Sequence, residues 1–125
     1  MTKRTMTLGT FIVTSLLAAL ALATWTTASA APSKLKASVG PGETISLKAA
    51  NGKRVSAVSR GTYVITVSDR SDEHNFFLSG PGLRKQLTTV GFVGTKTVTV
   101  KLRPGKYGFV CTPHSDDMNG GFSVR

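Results

Sequence analysis

Cysteine is nearly missing from this 125-residue chain, which holds only Cys111, and histidine is scarcer than usual, with His74 and His114 alone. A single cysteine excludes an internal disulfide framework. Acid is short as well: six Asp and Glu stand against sixteen Lys and Arg, a net charge of +10. A basic surface favours acidic partners, anionic polymers or membrane surfaces. The Lys and Arg are scattered and not massed into a run with interleaved aromatics, so nucleic acid is set aside as a partner. No stretch of ten or more residues keeps a 3.6-residue apolar period, and there is no internal repeat or low-complexity tract. A helical bundle and a solenoid are thereby excluded.

One long apolar run is present. Leu8 to Trp25 is uncharged, follows Lys3 and Arg4, and precedes Ala28-Ser29-Ala30. A positive start, an apolar stretch and a small-residue cleavage pattern read as an export signal, residues 1–30, cut after Ala30. The run is near the lower limit for a membrane span and is diluted by Thr10, Thr14, Ser15 and Thr24. A retained anchor is the alternative. Cleavage leaves residues 31–125, long enough for one domain and not two. Such a chain works outside the cytosol, in a periplasm, on a cell surface or secreted. It can touch a membrane surface without spanning it and is expected to be monomeric. Outside the cytosol a lone thiol invites oxidation, so Cys111 must be shielded or used.

The mature chain alternates apolar and polar residues over short segments: Ile45 and Leu47; Tyr63, Ile65 and Val67; Val98, Val100 and Leu102; Tyr107, Phe109 and Cys111; Phe122 and Val124. A period of two marks half-buried strands. Turn residues separate them, among them Gly40-Pro41-Gly42, Asn51-Gly52, Gly80-Pro81-Gly82 and Pro104-Gly105. A short leader, Ala31 to Lys34, precedes the first strand, and Asp69, Asp72 and Glu73 read as a loop before His74. Seven or eight strands with no helical interludes predict an all-β domain, a two-sheet sandwich or a small barrel.

Three of the scarce residue types gather in CTPHSDDM, Cys111 to Met118. Each has a plainer reading alone: a buried Cys is usually an inert small hydrophobe, Met fills irregular gaps, and a histidine at a strand start is often structural. Together they are a donor set. Thiolate and thioether are soft, imidazole is intermediate, and the mixture selects copper over magnesium, calcium or manganese. One thiolate and two imidazoles with a weak Met is the blue-copper arrangement. Pro113 stiffens the loop, and His74 must arrive from a distant strand.

HNF at 74–76, GKYGFVC at 105–111 and CTPHSDDM at 111–118 together resemble a small cupredoxin of the plastocyanin, amicyanin and azurin group, over about Val39 to Val124. The resemblance implies a Greek-key β-sandwich holding one copper ion. His74, Cys111 and His114 would be its strong ligands and Met118 the weak axial one. Asn75 would pin the ligand loop by hydrogen bonding, and His114 would be the exit for electrons. It implies a one-electron carrier, an exported type 1 copper protein working with redox partner proteins, which the basic surface suggests are acidic. A copper buffer or delivery protein would use the same ligands. An enzyme is disfavoured, because two histidines cannot furnish a second copper site and a 95-residue sandwich leaves little room for a substrate cleft. A metal-free domain acting through its basic surface completes the alternatives.

Overall fold

The structure, a computed structural model, describes Gly9 and residues 27–125. Apart from Gly9, the apolar run of the expected export signal lies outside the described residues. Ala28, Ser29 and Ala30 are described and sit exposed in an irregular stretch. Among the described residues no helix is long and apolar enough to cross a membrane.

Nine strands follow: β1 Ser33–Val39, β2 Ile45–Ala49, β3 Ala57–Val58, β4 Gly61–Asp69, β5 Phe76–Gly80, β6 Leu83–Thr88, β7 Gly94–Leu102, β8 Gly105–Val110 and β9 Asn119–Val124. The only helical element among the described residues is a 3-10 turn, Thr112–His114. One sheet runs β2-β1-β4-β7 and the other β3-β9-β8-β5-β6, giving the Greek-key sandwich with one strand more than the upper expectation. The first strand also begins earlier than expected. β1 starts at Ser33, inside the expected leader, because Ser33 and Lys34 pair in parallel with Tyr63 and Val64. The alternation of β1 lets Lys34 and Lys36 point to water while Leu35, Ala37 and Val39 are buried. β3 is too short to show a period.

The core lies between the sheets and takes the inward rows of both. Tyr63, Ile65 and Val67 come from β4, Val100 and Leu102 from β7, and Tyr107 and Phe109 from β8. Ile65, Phe76 and Leu78 are wholly buried. Each such side chain contributes about 1.5–3 kcal/mol relative to exposure. Phe76 stacks on Phe109 with centroids 5.4 Å apart, and Tyr107 on Phe122 at 5.3 Å. Phe109 occupies the space a side chain at Gly120 would need, since a Cβ there would strike its ring. A glycine is required opposite that aromatic.

Strand register defines two ends of the sandwich. Val39 pairs with Ile45 and Asp69, and Asp69 with Gly94, so these termini share one end. The Arg70–Asn75 connection carries that end to Phe76, which pairs with Thr88. Phe77 pairs with Val110, placing the Cys111 loop there too. Ser33, Gly61, Gly80, Leu102, Gly105 and Val124 stand at the opposite end.

Asp69 corrects the sequence reading. It is not in the loop with Asp72 and Glu73 but closes β4, 1% exposed, as the inward position after Tyr63, Ile65 and Val67. Its Oδ1 accepts a hydrogen bond from the Ser71 amide at 3.3 Å, bending the chain out of the strand. Its Oδ2 has no partner among the described residues.

Candidate metal centre

His74 enters from the β4–β5 connection, two residues before β5, and is 3% exposed. Cys111 follows the last residue of β8 and is fully buried. Its position continues the inward row of Tyr107 and Phe109, so the thiol faces the core. His114 ends the 3-10 turn and stays half-buried, with Pro113 in the turn's first positions fixing φ. The spatial convergence anticipated from sequence is present. His74 Nδ1 lies 3.1 Å from His114 Nδ1, and Cys111 Sγ lies 3.7 and 3.6 Å from those two nitrogens. The rings meet edge to face at 77°.

This triangle has the dimensions of a ligand set. Donors about 2.0–2.3 Å from a common centre and roughly 120° apart stand about 3.4–3.8 Å from one another. The two Cys-to-His separations fall in that interval, and the His-to-His one is slightly tighter. Two imidazole nitrogens facing each other at 3.1 Å, both turned towards one sulfur, can share at most one proton along that edge. A cation at the centre would satisfy all three donors together.

The loop bearing Cys111 and His114 is closed at its neck. The Cys111 amide donates to Met118 O at 3.0 Å, and the Met118 amide to His114 O at 2.8 Å. The first bond extends the β8–β9 ladder one pair beyond Val110 and Asn119. Directly opposed residues of an antiparallel pair project to one face, and Cys111 and Met118 are both fully buried. Inside the loop the Asn119 side-chain amide donates to Ser115 O at 2.9 Å and Asp116 O at 3.2 Å. Asp116 and Asp117 themselves are exposed.

Asn75 ties the two ligand-bearing segments together. Its Oδ1 accepts from the Thr112 amide at 2.7 Å and from the Thr112 hydroxyl at 3.2 Å, across 37 residues of sequence. Thr88, which the sequence reading passed over, acts beside it: its buried Oγ1 accepts from the Phe76 amide at 3.0 Å, at a bulge where β5 begins. Nothing local in QLTT announces that bond. Asp69 was findable, since it extends the period-two row of β4.

No protein-family model matches the chain, and no curated protein does. Solved structures do. A reduced rusticyanin aligns at 17% identity with a TM-score of 0.55, covering 78% of this chain and 82% of that one. The rusticyanin of Thiobacillus ferrooxidans aligns at 18% identity and 0.50, covering 74% and 76%. A chain of a heme-copper terminal oxidase dimer aligns at 16% and 0.50, covering 74% and 63%. These likenesses, at low identity, concern the path of the backbone. Taken with two sheets in the order described, they give the chain the cupredoxin fold.

Proposed function

We propose that residues 31–125 form an exported domain that holds one copper ion and carries single electrons between redox partner proteins. The observation that carries this reading is the convergence of His74 Nδ1, His114 Nδ1 and Cys111 Sγ within 3.7 Å of one another. Copper is favoured over harder ions by a thiolate with two imidazoles. Likeness to rusticyanin, a copper protein, supports the same ion. Met118 is assigned as the weak fourth ligand, supported by its burial opposite Cys111 on the inward face. Export is supported by the exposed, irregular setting of Ala28-Ser29-Ala30, which a peptidase can reach.

Copper would supply a centre that gains and loses one electron without making or breaking substrate bonds. The protein's part is to keep the donors still. Cys111 is held by the end of a core strand, His74 by the Asn75 and Thr88 hydrogen bonds around it, and His114 by the turn that Pro113 starts. Burial of His74 and Cys111 keeps water from two of the donors. His114 alone among the three donors reaches partial exposure, so its ring is the route between the centre and a docked partner.

Copper(II) added to residues 31–125 is expected to give an intense blue or green colour from thiolate-to-copper charge transfer, absent in Cys111→Ser. Pale protein with bound copper refutes the proposal. A copper buffer or delivery protein is the second reading, favoured by Asp116 and Asp117 standing exposed on the ligand loop. Metal that remains bound through repeated reduction and reoxidation supports the carrier. Metal that leaves on reduction supports the buffer.

A further inference from the structure

Charge along this sandwich is sorted by end. Glu43 lies in the β1–β2 turn, Asp69 closes β4, Asp72 and Glu73 precede His74, and Asp116 and Asp117 belong to the ligand loop. All six acids of the chain therefore stand at the metal-centre end. Arg70 and Lys96 are the cations of that half. At the opposite end Lys53 lies in the turn after β2 and Arg60 just before β4. Arg103 and Lys106 flank the β7–β8 turn, and Arg125 follows β9. Lys34 and Lys101 stand one residue from strand termini at that same end, while Lys36, Lys48, Arg54, Arg84 and Lys85 sit on middle rungs of the sheets. Seven of the fourteen cations among residues 31–125 thus crowd one end, with no acid there, and all seven are exposed.

We propose that this basic end docks on an anionic phospholipid surface and holds the metal-centre end outward. Three observations select a membrane. The cations spread over the turns of a whole end instead of lining a groove, as a planar partner requires. The opposite end is acidic and would be repelled by the same surface, which fixes orientation. Finally, β1 begins at the basic end, and only eight chain steps separate Ser33 from Trp25, the last residue of the apolar run. Those steps reach under about 30 Å. If the run is kept, it tethers this end to the bilayer. If it is cut, the α-amino group of Ala31 adds a further positive charge beside Ser33. An acidic partner would meet the chain here, remote from His114, so the acidic redox partner suggested by net charge does not follow from the surface around the metal centre.

Residues 31–125, which include all nine strands and the buried core, should cosediment at least 10-fold better with vesicles containing phosphatidylglycerol than with phosphatidylcholine alone. Raising salt from 0.1 M to about 0.5 M should abolish the difference, because the screening length shrinks from about 10 Å. R60E/K106E and R70E/K96E change net charge equally. The first should lose binding at least 10-fold and the second less than about 3-fold. Should R60E/K106E lower the melting midpoint, K53E/R125E, with the same change in net charge, takes its place. Equal losses from both pairs, or no preference for anionic vesicles, overturn the proposal. So does binding confined to a soluble polyanion such as heparin. The docking does not depend on which metal is held, so the copper titration can fail while this test succeeds.

Discussion

Removing the Asn75 carbonyl tests how the two ligand-bearing segments are held together. In Asn75→Ala the Thr112 amide loses a 2.7 Å bond and the Thr112 hydroxyl a 3.2 Å one. Thr112 is exposed, so its hydroxyl can turn to water at little cost. Its amide points towards Asn75, which is 1% exposed, and a donor stranded in such a place costs about 1–3 kcal/mol. The loss expected for metal-free protein is therefore about 2 kcal/mol, or about 8–16 °C in melting midpoint for a domain this size. Urea and thermal unfolding measure it. Thr112→Val, which deletes only the hydroxyl, should cost under about 1 kcal/mol. Metal affinity in Asn75→Ala should fall about 10- to 100-fold, as for other side chains that orient ligands from outside. A loss below about 0.5 kcal/mol with unchanged metal affinity would refute the claim that this bond positions the loop.

Two further changes probe the sandwich itself. Burial raises the Tyr63 phenol above its ordinary 10.0, and its hydroxyl donates to Ser59 O at 2.7 Å. Tyr63→Phe should cost about 1 kcal/mol at neutral pH. The raised folded value means the unfolded chain releases the phenolic proton first, so this group's stabilisation is complete below pH 10 and is lost as pH rises through the folded value. The gap between wild type and Tyr63→Phe should narrow above pH 10, by at most about 1.4 kcal/mol per pH unit, and parallel stability curves would contradict this. Gly120→Ala should cost about 1–3 kcal/mol by driving the new methyl into Phe109, and Phe109→Leu in the same chain should recover part of that loss in urea unfolding.

Much of the site was legible because its chemistry is local. Cys111, His114 and Met118 occupy one short loop, and the row of Tyr107 and Phe109 already aimed the thiol inward. His74 was legible as a donor by scarcity, since the chain holds only two histidines. What stayed hidden depended on neighbours remote in sequence. Ser33 and Lys34 become strand only because β4 lies alongside, and Thr88 gains its role only when Phe76 pairs with it. The sorting of charge was invisible for the same reason. Along the chain, acids and bases alternate in blocks, and only the fold reveals which turns share an end.

The sheet margins carry their own consequence. β2 and β7 bound one sheet, and β6 bounds the other with β3 at its far side. Unpaired strand margins invite a second copy to add on, and exposed lysine or arginine discourages it. Lys48 on β2, Arg84 and Lys85 on β6, and Lys96 and Lys101 on β7 supply that deterrent. β3, with two residues, offers almost no template at all. Stitching of copies into larger aggregates is thus opposed at every margin.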